Sequence, residues 1–496
     1  MKVLIAPVVV PADAKAGDLI MRPCTVQTRA GKISAEYGTL VVPENRSKAD
    51  SRLIAVPVVR LRAINANPAE PIFWLEGGPG ASNLTDEPPK WLLSKHDFVL
   101  VGYRGVDGSV KLDCPEVGRA LKGVNNDVLS AESRAKLGRA LNESAHRLQT
   151  EGIDLSGYTM QEVVEDMEAA RAGLNYERVN LYSASYGTRV AQIYAYLHPD
   201  RIYRSVMVGV NAPGDFVWEP ASTDVQLEKF AQLWAQNASC RARTADLAET
   251  LRRVTHHMPR RWLFFTIDPG KVRIVSFVML FQRKTAAMVF DAYIAADHGD
   301  PSGLALMSLA SDFALPTMFT WGDFFAKGST DYDAARNYVA ELDPPDSILG
   351  SPVALWFCEA FSESEDWPIQ LLPAELRQVQ PSAVETLLVS GSFDVSTPPE
   401  AATQGLLPAL SHGKHVILSE MGHSPDPMSL QPQAYERLLT SFYDTGVADD
   451  SLYTYLPMDF NVPRGLPALA KIMLGTIPLV ISLIAVLVWL IIRWVR

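Results

Sequence analysis

An α/β architecture is expected: a mostly parallel sheet wound with helices, interrupted by an inserted, mainly helical cap and followed by a C-terminal transmembrane helix. Three features of the sequence predict it. Apolar runs of strand length alternate with helical patterns up to about residue 214 and again from Thr386, the mark of a parallel sheet with crossover helices. Between about Asp215 and Pro381 that rhythm gives way to helical stretches rich in Trp, Phe and Met. Residues 472–492 then form a run of 21 without a charge.

The strand candidates are Leu53–Leu61, Ile72–Leu75, Phe98–Tyr103, Val179–Tyr182, Val206–Val210, Leu387–Val389 and Val416–Leu418. The clearest helix spans Met160–Leu174, with Met160, Val163, Val164, Met167 and Leu174 on one face and Thr159 with Glu162 as a capping box. A chain of 496 residues exceeds what one core usually holds, so a catalytic domain plus an inserted one is the default. The expected division is 15–214 for the first part of the core, 215–381 for the cap, 382–450 for the second part of the core, and 451–471 for a linker containing prolines.

Apolar residues make up 48% and charged residues 20%, with 34 prolines scattered along the chain, which is the profile of a folded protein. The formal charge of -11 and the lack of any Lys/Arg-rich run argue against a nucleic-acid partner. No CxxC pair is present, so neither a zinc knuckle nor a redox motif is expected, and no metal or cofactor is called for.

The run 472–492, at about 1.5 Å per residue, spans a hydrocarbon core of roughly 30 Å and is expected to anchor the chain in a membrane. Trp489, Trp494, Arg493 and Arg496 stand at its edge, while Arg464 and Lys471 before it balance the arginines after it. At the other end, Lys2 precedes the apolar stretch 3–10, and Ala12-Asp13-Ala14 resembles a cleavage site. That stretch is either a short signal peptide, which would place the catalytic part outside the cytoplasm, or a first strand.

SASYG at 183–187 lies between the strand Val179–Tyr182 and a helix carrying Ala191 to Leu197. Such a strand-turn-helix needs small residues two positions on either side of an exposed serine, and Ser185, with Gly187 beyond it, is the candidate nucleophile. Ser183 stands where a glycine is usual. A carboxylate and then a histidine must follow in that order. Asp394 comes just after the strand Leu387–Val389, and His423 comes just after Val416–Leu418, whereas His412 and His415 precede that strand. EGGPG at 76–80 follows an early strand, and the backbone N–H groups of Gly78 and Tyr186 are the candidate oxyanion hole. These features define the α/β-hydrolase fold.

With EGGPG at 76–80, GYRGVDGS at 102–109, SASYGT at 183–188, FDVSTPPE at 393–400 and GHS at 422–424, the chain resembles the serine aminopeptidases of the prolyl iminopeptidase and tripeptidyl aminopeptidase type. The Cys24 segment leading to GTLVVPENR, CPE at 114–116, and Cys240 and Cys358 resemble the tripeptidyl branch. Departures are Glu76 in place of the histidine usual in prolyl iminopeptidases, GYRG in place of DQRG, Ser183 in the elbow, and the apolar C-terminal run. The resemblance implies acidic cap residues that bind a substrate's free amine, with Glu219, Glu359 and Glu363 as candidates. The four cysteines form either two disulfides, Cys24 with Cys114 and Cys240 with Cys358, or four thiols.

The leading expectation is therefore a membrane-tethered serine hydrolase acting on a peptide or small acyl substrate through Ser185, Asp394 and His423, most simply an aminopeptidase. An esterase or lipase suits the anchor and the Trp-rich cap equally. A binding module that has lost catalysis is disfavoured by the intact set of residues.

Overall fold

The computed structural model describes residues 8–28, 31–122, 127–214 and 217–476. Among them the strands are β1 (Leu19–Thr28), β2 (Gly31–Pro43), β3 (Leu53–Leu61), β4 (Ala69–Leu75), β5 (His96–Val101), β6 (Val179–Ala184), β7 (Ile202–Val208), β8 (Arg261–Trp262), β9 (Phe265–Thr266), β10 (Glu385–Gly391) and β11 (Gly413–Leu418). Nine of them form one sheet in the order β1-β2-β3-β5-β4-β6-β7-β10-β11, and β8-β9 is a separate hairpin. Pairing is antiparallel from β1 to β5 and parallel from β5 through β11. The crossover that places β5 between β3 and β4 makes a switch point, and an open α/β sheet offers ligand sites at the carboxyl ends of its strands.

The central strands are continuous apolar runs because helices cover both faces of the sheet; every residue of β6 is buried. The helices that bear on the site are α1 (Ala131–Thr150), α2 (Met160–Gly173), α3 (Tyr186–Leu197), α4 (Pro220–Gln236), α5 (Pro269–Met279), α6 (Arg283–Asp297), α7 (Ser302–Ala314), α8 (Trp321–Gly328), α9 (Pro352–Ser362) and α10 (Pro432–Thr445). Thr159 caps α2 as expected, its hydroxyl accepting from Glu162 N at 3.2 Å. Glu162 does not complete the box. Its carboxylate instead accepts from Arg46 N at 3.0 Å and pairs with the guanidinium of Arg46.

All seven expected strands are present. Four strands were missed: β8 and β9, of two residues each, and β1 and β2, a hairpin at the sheet edge whose residues alternate between exposed and more buried and therefore carry no long apolar run. The helices between β7 and β10 divide in two. Helices α4 to α7 enclose a cluster of their own around Phe230, Trp234, Phe277, Phe290 and Leu304. Helices α8 and α9 put Phe325, Trp356 and Phe357 into the core cluster that also holds Leu141 and Leu148 of α1.

The stretch 451–471 is no free linker. Met458 and Phe460 are buried in the cap cluster, the Phe460 ring lies 5.2 Å from that of Trp234, and Met458 N donates to Glu420 Oε2 at 2.7 Å. A helix beginning at 466 is described as far as 476. Among the described residues no helix is long and apolar enough to cross a membrane. The proposed span lies outside the described residues from 477 on, as does residues 1–7 of the amino-terminal stretch.

The four cysteines are free, which corrects the disulfide alternative. Each expected pair is split between apolar clusters: Cys24 packs beside the cluster of Phe98 and Leu100 while Cys114 belongs to the central core, and Cys240 sits in the cap cluster while Cys358 faces the core.

Arg104, from the loop after β5, is buried and binds Asp166 of α2 through Nε at 2.7 Å and Nη2 at 2.6 Å, and it donates to the carbonyls of Glu44 and Gly157 at 2.7 Å. Removing one partner of such a pair leaves an uncompensated buried charge, at a cost of about 3–5 kcal/mol. Asp166→Asn keeps the volume and removes the charge. Its urea midpoint is expected to fall by an amount equivalent to at least about 2 kcal/mol, and an unchanged midpoint would show that the network does not stabilise the fold.

Candidate active site

Ser185 directly follows β6 and precedes the first residue of α3, with φ +52° and ψ -124°. A serine in that region is strained, and the turn persists only where its surroundings over-determine it. Gly187 shows how. A Cβ at that position would collide with the carbonyl oxygens of Leu75 and Glu76, so only glycine lets α3 start directly against the end of β4. Ser183 fits where glycine is usual because its hydroxyl turns away and donates to Val206 O on β7 at 2.9 Å. It is a structural residue.

His423 follows β11, and its Nδ1 lies 2.7 Å from Asp394 Oδ2. Asp394, which is 0% exposed, accepts from the backbone N–H groups of Ser396 and Thr397 at 2.9 Å through Oδ1, and from the Thr397 hydroxyl at 2.7 Å through Oδ2. A carboxylate so placed can only accept, so Nδ1 of His423 carries the proton and Nε2 is left as the basic atom. The His423 backbone N–H donates to Phe281 O of the cap at 2.6 Å, and the Phe281 ring meets the imidazole edge-on at 5.3 Å. Gly209, with φ +65°, gives the ring room, since a Cβ there would fall 2.8 Å from His423 Cε1. His415 lies within β11 and contacts Ser390 Oγ at 3.0 Å, while His412 is exposed on the loop before it.

Ser185 and His423 open on one cavity of about 360 Å³. Glu76, Gly77 and Gly78 form part of its wall, and Gly77 packs so closely that a Cβ on it would lie 3.1 Å from Ser185 Cβ. Gly78 has φ +129°, a conformation open to glycine. Tyr186 is the first residue of α3, so its N–H belongs to the positive end of that helix. The cap clamps this loop: Gly80 N donates to Asp323 Oδ2 at 3.1 Å, Thr320 N donates to Gly80 O at 2.9 Å, and Asp323 pairs with Lys327 in a fully buried ion pair. Tyr103 of the GYRG segment donates its hydroxyl to Glu76 O at 3.0 Å, and Asp107 accepts from Asn83 N at 3.0 Å, which ties the following turn.

Most of the remaining wall is apolar and much of it aromatic, including Trp218, Phe277, Phe319, Trp321 and Phe324, with Gln282, Ser396 and Ser424 as polar exceptions. Glu76 is the one carboxyl group among the residues that line it. Burial, and then the adjacent carboxyl of Asp86, push its pKa up to about 9. Asp86 is held in turn by the Trp74 indole N–H at 3.0 Å. Glu76 is therefore held in its protonated form near neutral pH.

The acids expected to bind an amine lie elsewhere. Glu219 pairs with Arg336 at 2.9 Å, Glu359 lies 3.3 Å from the Arg134 guanidinium, and Glu363 ends α9 with its backbone against Gly138 of α1. None of them lines the cavity. Thr397 and Asp323 went unnoticed in the sequence. Thr397 stands inside the motif that contains Asp394, but Asp323 has no local signal because its partners are a distant loop and Lys327.

The fold is that of the α/β hydrolases, and a model of the α/β-hydrolase fold family matches residues 70–272. That match covers β4 to β7 and Ser185 and ends before Asp394 and His423. Among known proteins the chain is similar to serine peptidases. A tripeptidyl aminopeptidase from Streptomyces lividans is 26% identical over 203 residues, 38% of this chain and 38% of that protein. The serine protease Hip1 from Mycobacterium tuberculosis is 24% identical over 259 residues, 46% of this chain and 48% of that protein. The chain thus spans less than half the length of the curated relatives it matches. Among solved structures, a serine hydrolase from Cycloclasticus zankles aligns with a TM-score of 0.39 at 12% identity, covering 86% of this chain and 100% of that one.

A carboxyl group whose folded pKa is raised favours the fold while it stays protonated. That stability is complete below the ordinary value of 4.5 and is lost as pH rises toward about 9. Glu76→Gln, which imitates the protonated form, is expected to raise Tm at about pH 8 by several degrees more than at about pH 4. An equal change at both pH values would show that Glu76 ionises normally.

Proposed function

We propose that the chain is a serine hydrolase that cleaves acyl bonds through Ser185, His423 and Asp394, and that its substrates are short peptides or amides with a free amino terminus. The observation that supports the reading is that Ser185, the Asp394-bound His423 and the Gly77-Gly78 turn line one cavity. Ser185 Oγ attacks the carbonyl carbon as Nε2 of His423 takes its proton. Asp394 holds the imidazole in the required tautomer and stabilises the imidazolium. The backbone N–H groups of Gly78 and Tyr186 receive the oxyanion. His423 then protonates the leaving amine, and water attacks the acyl-enzyme by the same route in reverse.

The aminopeptidase assignment rests on the similarity to serine peptidases and on Glu76. An ammonium group buried unpaired in an aromatic cavity would cost several kcal/mol. Glu76 is the one carboxyl group that the wall offers as a counter-charge, and an ammonium group beside it would favour its ionised form. The cavity volume of about 360 Å³ is at the lower end of the roughly 300–1,000 Å³ usual for small-molecule sites, which suits a short substrate. A second reading, an esterase for apolar acyl groups, is favoured by the aromatic walls. The apolar run 472–492 serves as a membrane tether in either case, and the amino-terminal stretch favours a catalytic part outside the cytoplasm.

Ser185→Ala is expected to reduce kcat by at least about 10³-fold, and Ser183→Ala to leave it within about tenfold of the original. Aminoacyl amides with a free amine are expected to be cleaved at least about tenfold faster, in kcat/KM, than their acetylated forms, with Glu76→Gln erasing most of that preference. Equal rates on free and blocked amides, together with faster hydrolysis of p-nitrophenyl butyrate, would replace the aminopeptidase with the esterase.

A further inference from the structure

The cap carries an apolar projection that the catalytic site does not use. Residues 260–265 read Arg-Arg-Trp-Leu-Phe-Phe, and β8 and β9 form a hairpin whose two turn residues are Leu263 and Phe264. Two-residue hairpin turns favour Asn and Gly because they need positive φ. Here Leu263 takes φ +53° and is 62% exposed, and Phe264 at the tip is 72% exposed. The rings of Trp262 and Phe265 stack at 5.8 Å across the hairpin, and Phe264 lies 4.4 Å from Phe265. Arg260 and Arg261 stand exposed at its base. Neither folding nor solubility gains from this composition, and exposed apolar clusters of this kind mark an interaction surface.

Helix α7 connects the hairpin to the C-terminal part of the chain. The hairpin packs against α7, and just beyond it Asp268 N donates to Ser308 Oγ of that helix at 3.0 Å. Along the same helix Leu309 and Phe313 are exposed, and Met318, a few residues further on, is exposed while also lining the catalytic cavity. At its start α7 receives the helix that begins at 466: Ser302 Oγ donates to Pro467 O at 3.4 Å, and Lys471 pairs with Asp300 at 2.6 Å. Ile472 and Met473 of that helix are exposed, and the charge-free sequence continues from them to 492.

We propose that this face of the cap docks on a lipid bilayer, with Leu263 and Phe264 entering the headgroup region, Trp262 and Phe265 at the interface, and Arg260 and Arg261 near anionic headgroups. The inference rests on the reading of 472–492 as a membrane tether. A bilayer is the occupant that the residues select: aromatic side chains with an apolar body suit the interface, arginines beside them are attracted to anionic lipid, and the apolar run leaves the fold from the same helix. Docking there would bring the Met318 side of the catalytic cavity to the membrane surface, so a substrate could enter from that surface.

The test uses the full chain in phosphatidylcholine vesicles, with and without phosphatidylglycerol. Phe264→Cys, Thr476→Cys and, as a control on the body, Ile64→Cys each carry an environment-sensitive nitrobenzoxadiazole label, and doxyl-labelled lipid is the quencher. The unsubstituted chain, with its own four cysteines, gives the background. Labels at 264 and 476 are expected to shift to the blue and be quenched, while the label at 64 is not. Arg260→Gln with Arg261→Gln is expected to reduce quenching at 264 chiefly in the anionic vesicles. Quenching at 476 without quenching at 264 would overturn the docking face and leave the tether standing. Quenching at 264 alone would support a face that binds without the tether, and quenching at neither would overturn both. A blue shift at 264 that persists without vesicles would show that a second copy of the chain covers the hairpin, which also overturns the proposal.

Discussion

The site depends on one close approach, that of the turn between β6 and α3 to the carboxyl end of β4. Gly187 lacks the Cβ that would collide with Leu75 O, and Gly77 lacks the one that would crowd Ser185. Only with both absences can Ser185 hold positive φ, point out of the sheet and lie beside the Gly77-Gly78 turn. The hydrogen bond from Ser183 to Val206 O belongs to the same constraint, because it turns a side chain larger than glycine into a tie between β6 and β7. Everything chemical is then arranged around a serine whose position is set by backbone and not by its own contacts.

A second layer of polar groups fixes the surroundings in low dielectric. Asp394 is satisfied three times before it meets His423, so the imidazole is oriented by a rigid acceptor. The cap takes part directly: Phe281 O holds the His423 backbone, and Asp323 and Thr320 hold both polar groups of Gly80. Burial of the Asp323–Lys327 pair raises the carboxyl pKa and lowers that of the amine, an opposition to charge that their mutual attraction and hydrogen bond work against. Cap and body are therefore coupled at the catalytic turn as well as by apolar packing. The same largely apolar surroundings hold Glu76 protonated, so one desolvated environment both strengthens the hydrogen bonds of the site and keeps its buried acid neutral.

Much of this was legible in the sequence where the signal is local. Buried parallel strands announce themselves as apolar runs, and the order Ser185, Asp394, His423 at three strand ends needs no knowledge of packing. The edge hairpin β1-β2 was not legible, because its alternating exposure removes the run. The acids Glu219 and Glu359 looked suitable as amine binders only because their partners, Arg336 and Arg134, lie far away in sequence. Glu76 shows the opposite case. It stood out only as a departure from histidine, and its meaning depends on Asp86 and on a cap more than a hundred residues distant. The stretch 451–471 failed as a linker for a similar reason: its prolines hide Met458 and Phe460, which are buried against Trp234 and Phe290.

The central claim is that the strained serine is the nucleophile and that the Asp394-oriented imidazole activates it. Active-site labelling with a fluorophosphonate, followed by peptide mass mapping, tests it most directly. A single adduct on Ser185, with labelling slowed by at least about 10³-fold in His423→Ala, is the predicted result. An adduct on Ser183 or on any other serine, or labelling of Ser185 that does not slow when His423 is removed, would contradict it.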